Sequence, residues 1–207
     1  MLESAFFALV ALLVIIDPPG TAVLFAGMTP RETQAERRRL AIRACTIAFI
    51  VLMVFALAGG WLLRALGIGL PAMKVAGGLL LFLLATEMVM GKTVSRASDD
   101  EQRRAAETDE DISVFPLAIP LLAGPGGMTT MVLLAEQAQG SVVQLALACM
   151  ALAVALGATL ACMIAAPMVV RLLGQTGGHV IGRVLGVLLA ALAAQIALEG
   201  ITETLRG

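Results

Sequence analysis

"LLVIIDPPGTAVLF", residues 12–25, decides how the chain is read. An acid, two prolines and a glycine (Asp17, Pro18, Pro19, Gly20) sit between two apolar runs, where a membrane span would ordinarily be continuous. The run Leu2–Ile16 gives only about 22 Å of helix at 1.5 Å per residue, against a hydrocarbon core of about 30 Å. Asp17 therefore falls inside the bilayer. Pro18 and Pro19 supply no N–H and block the preceding turn, and Gly20 tolerates unusual dihedrals. A second half-helix over about Thr21–Met28 would complete the crossing.

The rest of the chain supports membrane residence. Of its 207 residues, 59% are hydrophobic and 14% charged, and the mean hydropathy is +0.96. Ala44–Leu63 and Gly140–Val170 carry no charge, which is the pattern of lipid-embedded helices. The first run lacks a basic flank and leads into Asp17-Pro18-Pro19, not into a small-residue cleavage site, so it is expected to stay in the chain. Cys45, Cys149 and Cys162 lie in apolar runs without metal-like spacing and read as packing residues. The single histidine, His179, has no acidic or cysteine partner nearby. No metal or other cofactor is expected, and a net charge of −1 argues against a nucleic-acid partner.

Six spans are expected, at about 2–28, 41–64, 71–90, 113–136, 142–171 and 180–203. The fold class is all-α, a polytopic membrane protein with two broken helices. Thr29, Pro30 and Glu32 read as the cap opening the second helix, and Gly174, Gly177 and Gly178 as a connection before the sixth. Eleven Lys and Arg residues fall in the connections on one side and three on the other. The richer side is expected to be cytoplasmic, placing both termini in the periplasm.

The two halves resemble each other. Asp17-Pro18-Pro19-Gly20 matches Ala123-Gly124-Pro125-Gly126, and Arg64 and Gly67 match Arg171 and Gly174. Gly78 then matches Gly186, Glu87 matches Gln195, and Gly91 matches Gly200, all in one order. This signals duplication. Three spans per half turn the second half upside down, as a 3+3 inverted repeat. The expected domains are a first repeat (1–91), a polar cytoplasmic linker (92–112) and an inverted second repeat (113–207).

Matching breaks in inverted halves point to a secondary transporter with its site at the repeat interface. Backbone groups freed by the breaks find no partner in lipid, so the breaks are expected to meet at the centre of the protein. Half-helix N-termini near Gly20 and Gly126 suit a carboxylate, and Asp17 suits an ammonium group or a cation. Together they describe a receptor for a small zwitterion, with room left by the glycines. The expected substrate-binding residues are Asp17, Pro19, Gly20, Thr21, Gly124, Pro125, Gly126, Gly127, Thr129 and Thr130. Asp17 and Glu87 are candidates for proton or ion coupling, Glu87 also being close enough to the membrane edge to snorkel. A purely structural Pro-Gly kink is the competing reading of either break alone.

"DPPG" (17–20), "VAGGLLLF" (75–82), "VFPLAIPLLAGPGGMTT" (114–130) and "IGRVLGVLLAALAAQIALEGI" (181–201) resemble the MarC family of bacterial integral membrane proteins, also grouped as six-span neutral amino acid transporters. The resemblance implies a bacterial inner-membrane location and transport of small neutral amino acids such as glycine or alanine. Transport would be coupled to protons or sodium, or run as export. The alternatives are a passive channel or a structural membrane partner. An enzyme is not expected, because no metal motif or nucleophile elbow occurs.

Overall fold

The first helix, α1 (Leu2–Ile16), ends where Asp17 turns to φ 47 and ψ 72. Few side chains tolerate that left-handed region, and Asp is among them. In this computed structural model, which describes residues 2–29, 32–90, 111–138 and 140–206, α2 (Pro18–Met28) starts at once beyond the break. The next helix, α3 (Gln34–Ala65), opens on Thr33 and not on Thr29. Thr33 Oγ1 accepts from Glu36 N at 3.3 Å, and Thr33 N donates to Glu36 Oε2 at 2.8 Å. Thr33-Gln34-Ala35-Glu36 satisfies the same capping pattern and runs directly into strong helix formers. Thr29 closes α2 instead, its hydroxyl donating to Phe25 O at 2.7 Å. Pro30 and Arg31 lie outside the described residues.

Beyond a turn with Gly67 at φ +69, α4 (Leu70–Met90) crosses back. The expected linker lies almost wholly outside the described residues, which resume at Asp111. Ser113–Leu122 is then π-helical. Leu117 N donates to Ile112 O at 3.4 Å and Ala123 N to Ala118 O at 2.8 Å, each five residues back. Pro116 and Pro120 remove two donors from this segment, which favours the wider turn over an unbroken α-helical ladder. The remaining helices are α5 (Pro125–Gln137), α6 (Val142–Ile164) and α7 (Ala166–Arg206).

The last of these corrects an expectation. The glycines at 174, 177 and 178 do not form a connection; helical backbone continues through them, and the interruption falls at Ala165. A glycine costs a helix about 1 kcal/mol, less than stripping backbone hydrogen bonds in an apolar setting. Among the described residues five helical segments are long and apolar enough to cross a membrane; the expected fourth span is instead two shorter helical pieces, Ser113–Leu122 and Pro125–Gln137, parted at Ala123-Gly124. Phe6, Ile50, Leu57 and Val142 are exposed, as a lipid-facing surface requires.

Most buried side chains join one core, in which Leu12, Ile16, Leu52, Leu122, Met131 and Leu156 take part. A second, formed by Leu81, Ala85, Leu189 and Ala193, joins α4 to α7 and packs against Val14 and Ile15 of α1. Here the duplication has a physical counterpart. A Cβ on Gly78 would lie 2.7 Å from Ala193 O and 2.8 Å from Ala197 Cβ. One on Gly186 would lie 3.2 Å from Ala85 O and 3.0 Å from Val89 Cγ2. Gly78 to Gly186, Ala85 to Ala193 and Val89 to Ala197 are each a step of 108 residues. Contacts that interchange under a single shift are what a two-fold relation between the halves produces.

Candidate functional site

The first break satisfies itself. Asp17 N still donates to Leu13 O at 3.0 Å, completing α1. Asp17 Oδ1 accepts from Gly20 N at 3.1 Å, so the carboxylate caps α2. Thr21 Oγ1 donates to Ile16 O at 2.8 Å, and Thr21 N to Asp17 O at 2.8 Å. Gly20 N and Ile16 O, which an unbroken helix would bond to each other, are thereby each given a side-chain partner. Gly20 is required here, because a Cβ would lie 2.0 Å from Asp17 Oδ2. Pro18 is buried and Pro19 half-buried.

The second break differs in backbone and in chemistry. Gly124 and Met128 make the first bond of α5 as Asp17 and Thr21 make that of α2, and neither carries a carboxyl or hydroxyl group. Gly124 precedes α5 in extended geometry, φ −81 and ψ 172, with no side-chain cap. The first bond of α5 runs from Met128 N to Gly124 O at 3.0 Å, leaving the N–H groups of Gly126 and Gly127 ahead of it. One turn on, Thr130 is 6% exposed and its Oγ1 has no hydrogen-bond partner among the described residues. Thr129 is buried with its methyl group against Gly77, where a Cβ would come within 1.9 Å of it.

The two breaks lie side by side. A Cβ on Gly126 would be 3.7 Å from Ile15 Cγ2, two residues before Asp17, and 2.3 Å from Leu81 Cδ2 of α4. Gly127 is approached by Leu52 Cδ2 of α3, 3.3 Å from the same construction. The glycines therefore admit neighbouring leucines; they do not line an open chamber, as their spacing alone suggests. A second correction concerns the helix termini. The α2 terminus is already occupied by Asp17, so only that of α5 is uncapped. The side chains of Glu87 and Pro125 lie outside the described residues.

Open space appears elsewhere. A cavity of about 350 Å³ lies between the N-terminal half of α1, the end of α5 and the start of α6, with Ala5, Ala8, Gln137 and Gln144 in its wall. None of these residues stands out in the sequence. Their shared signal is positional, on helix faces whose far ends meet at the breaks.

Apolar helices of spanning length, packed together with two breaks side by side, define a polytopic all-α membrane protein. Residues 2–205 match the family described as MarC family integral membrane protein, and the chain belongs to that family. Relatives include a UPF0056 membrane protein of Archaeoglobus fulgidus, 36% identical over 84% of this chain and 81% of that protein. The UPF0056 inner membrane protein YhgN of Escherichia coli K12 is 31% identical over 81% of each chain. An Aquifex aeolicus UPF0056 membrane protein is 38% identical over 61% of this chain and 59% of its own length. No solved structure matches the chain.

Proposed function

We propose that this protein is a secondary transporter of small neutral amino acids working by alternating access, with the break junction as its central site. The observation that carries the reading is the unequal pair of breaks meeting beside Ile15. One is closed by its own aspartate and threonine, and the other holds backbone N–H groups with no cap. In this reading the α5 terminus holds the substrate carboxylate through Gly126 and Gly127. Asp17, with Oδ2 outside its cap bond, meets the ammonium group or the coupling proton or sodium ion. The leucine-packed junction is an occluded conformation, and substrate reaches it when the halves move apart.

The same proposal places the protein in a bacterial inner membrane with both termini periplasmic, on the Lys and Arg asymmetry of its connections. A phosphatase fused after residue 207 would then be active. For function, purified protein in liposomes preloaded with unlabelled alanine or glycine should accumulate the labelled amino acid by counterflow and saturate. Flux without saturation would favour the passive channel. No exchange of any neutral amino acid under imposed proton or sodium gradients would refute transport and leave the structural-partner reading.

A further inference from the structure

The cavity at the ends of α1, α5 and α6 has a position that the break junction gives meaning to. Helices α1 and α5 both terminate at the breaks, one ending at Ile16 and the other beginning at Pro125. They meet twice. Near the breaks, Gly126 faces Ile15; at the other end, Leu134 and Gln137 face Ala5 and Ala8 across the cavity. The opposed residue numbers add to nearly the same value at both places, as they must for two antiparallel helices in steady register. On α5, residues 126, 130, 134 and 137 fall on one face, and on α1 so do 5, 8, 12 and 15. Thr130 therefore sits midway along this seam, at the level of Ala11 and Leu12.

Side chains at that level are buried. Leu12 is fully buried and Ala11 nearly so, while the Thr130 hydroxyl is buried in the same stripe without a partner among the described residues. A hydroxyl sealed in this way destabilises the closed arrangement. The cost vanishes if the seam opens to water or to a polar solute.

Resting on the transporter reading, we infer that the cavity is an access subsite for the amino acid, and that the seam at Ala11, Leu12 and Thr130 is the gate between it and the breaks. The carboxamides of Gln137 and Gln144 offer both donors and acceptors to the two charged ends of a zwitterion, and Ala5, Ala8 and Leu147 meet a short apolar side chain. A volume of about 350 Å³ is at the lower end of small-molecule sites, so it suits a compact solute. Opening requires α1 and α5 to part at this end. Thr130 is then the first polar group met on the way inward.

The test uses full-length protein in liposomes, with Cys45, Cys149 and Cys162 replaced by alanine. Ala5→Cys with Gln137→Cys places two thiols on the rim, where a short bifunctional maleimide ties α1 to α5. Thr130→Cys, in a separate variant, reports the seam through labelling by a membrane-impermeant maleimide applied from the cavity side. Thr130→Cys should be labelled, at least tenfold faster when 10 mM alanine is present outside than without it. Cross-linking the rim pair should lower counterflow at least tenfold, while either single cysteine treated with the reagent retains it. Retained counterflow in the cross-linked protein would overturn the gate and leave transport standing. Failure of Thr130→Cys to label in protein that exchanges alanine would likewise move the route elsewhere. Loss of exchange in the cysteine-free parent, where the wild type exchanges, is answered by repeating the labelling with only Cys45 and Cys149 replaced. If the wild type exchanges no amino acid, the transporter reading fails and the subsite falls with it.

Discussion

Asp17 carries two separable roles, and two substitutions divide them. As the cap of α2 it accepts from Gly20 N at 3.1 Å, and it holds a left-handed backbone at φ 47. Asparagine does both nearly as well. Alanine does neither. Losing the cap costs about 1 kcal/mol, and an ordinary L-residue in the left-handed region costs a further 1–2 kcal/mol or so, so Asp17→Ala should lose about 2–3 kcal/mol. For a chain of this length that is a fall of roughly 5–10 °C in midpoint, at about 2–4 °C per kcal/mol. Asp17→Asn keeps the cap and removes a charge whose placement at membrane depth costs about 2.5–3.5 kcal/mol on insertion scales, so its midpoint should hold or rise. If the charge also serves substrate or ion, Asp17→Asn should nevertheless lose at least tenfold in counterflow. Thermal unfolding in detergent and exchange in liposomes read the two roles independently. A drop in Asp17→Asn as large as in Asp17→Ala would refute the capping argument; wild-type exchange by a stable Asp17→Asn would refute the role of the charge.

Thr130→Val removes a buried hydroxyl that has no partner among the described residues, so the protein should gain about 1 kcal/mol or more in thermal stability while exchange slows; a clear loss of stability would mean that the hydroxyl is bonded after all. Gly78→Ala and Gly186→Ala both press on the α4–α7 crossing. The former should cost more, since its Cβ meets Ala193 O at 2.7 Å and Ala197 N at 2.8 Å; an equal or reversed order in denaturation midpoints would count against this crossing. The Ser113 hydroxyl, then its N–H and the Arg43 guanidinium, hold the Asp111 carboxyl below its ordinary range. Because the folded-state value is the lower one, this contribution is present above the ordinary carboxylate range and is lost as pH falls through the depressed value. Asp111→Asn should therefore flatten the acid limb of the stability profile, and an unchanged limb would show that the cluster does not bear on folding.

Much of the architecture is legible in the sequence because lipid allows few alternatives. A chain that must pair its backbone internally shows its spans as apolar runs and its interruptions as Pro-Gly clusters, so both breaks can be placed at residues 17–20 and 123–126. The matched glycines are legible because close helix crossings demand them, and Gly78 and Gly186 prove to be such crossings. Sequence reasoning fails where local chemistry is ambiguous. Thr29 and Thr33 each head a plausible capping box, and only the helix-forming run directly after Thr33 separates them. Gly174, Gly177 and Gly178 look like a turn in water but are carried by a helix. Gly126 and Gly127 mislead for a related reason: spacing shows that a side chain is missing, not that Leu81 and Leu52 occupy the place. The cavity wall is invisible, since alanines and glutamines at helical spacing describe many surfaces equally well.

The contrast between the two breaks bears on why a duplicated fold would let its halves diverge at this one place. Two identical, self-capped breaks would offer no uncapped helix end to a carboxylate. Two uncapped breaks would place two positive helix ends together and favour an anion of double charge. With Asp17 and Thr21 closing the first break, and Gly124 and Met128 leaving the second bare, one side offers a carboxylate and the other N–H donors. This pairing of opposite charge across one junction matches a molecule that carries both charged groups on one carbon. The prediction is sharp at Gly124, which heads α5 as Asp17 heads α2. Gly124→Asp would supply the second break with the acid the first one has, and its carboxylate would be placed to bond Gly127 N, three residues on, as Asp17 bonds Gly20 N. The variant should be at least as stable as wild type if that bond offsets the cost of burying the acid, and Gly124→Asn, which caps without charge, should be stable in either case. Both should abolish exchange, because the donors reserved for the substrate are taken. Exchange at the wild-type rate in a stable Gly124→Asn would show that the Gly126 and Gly127 donors have no part in binding.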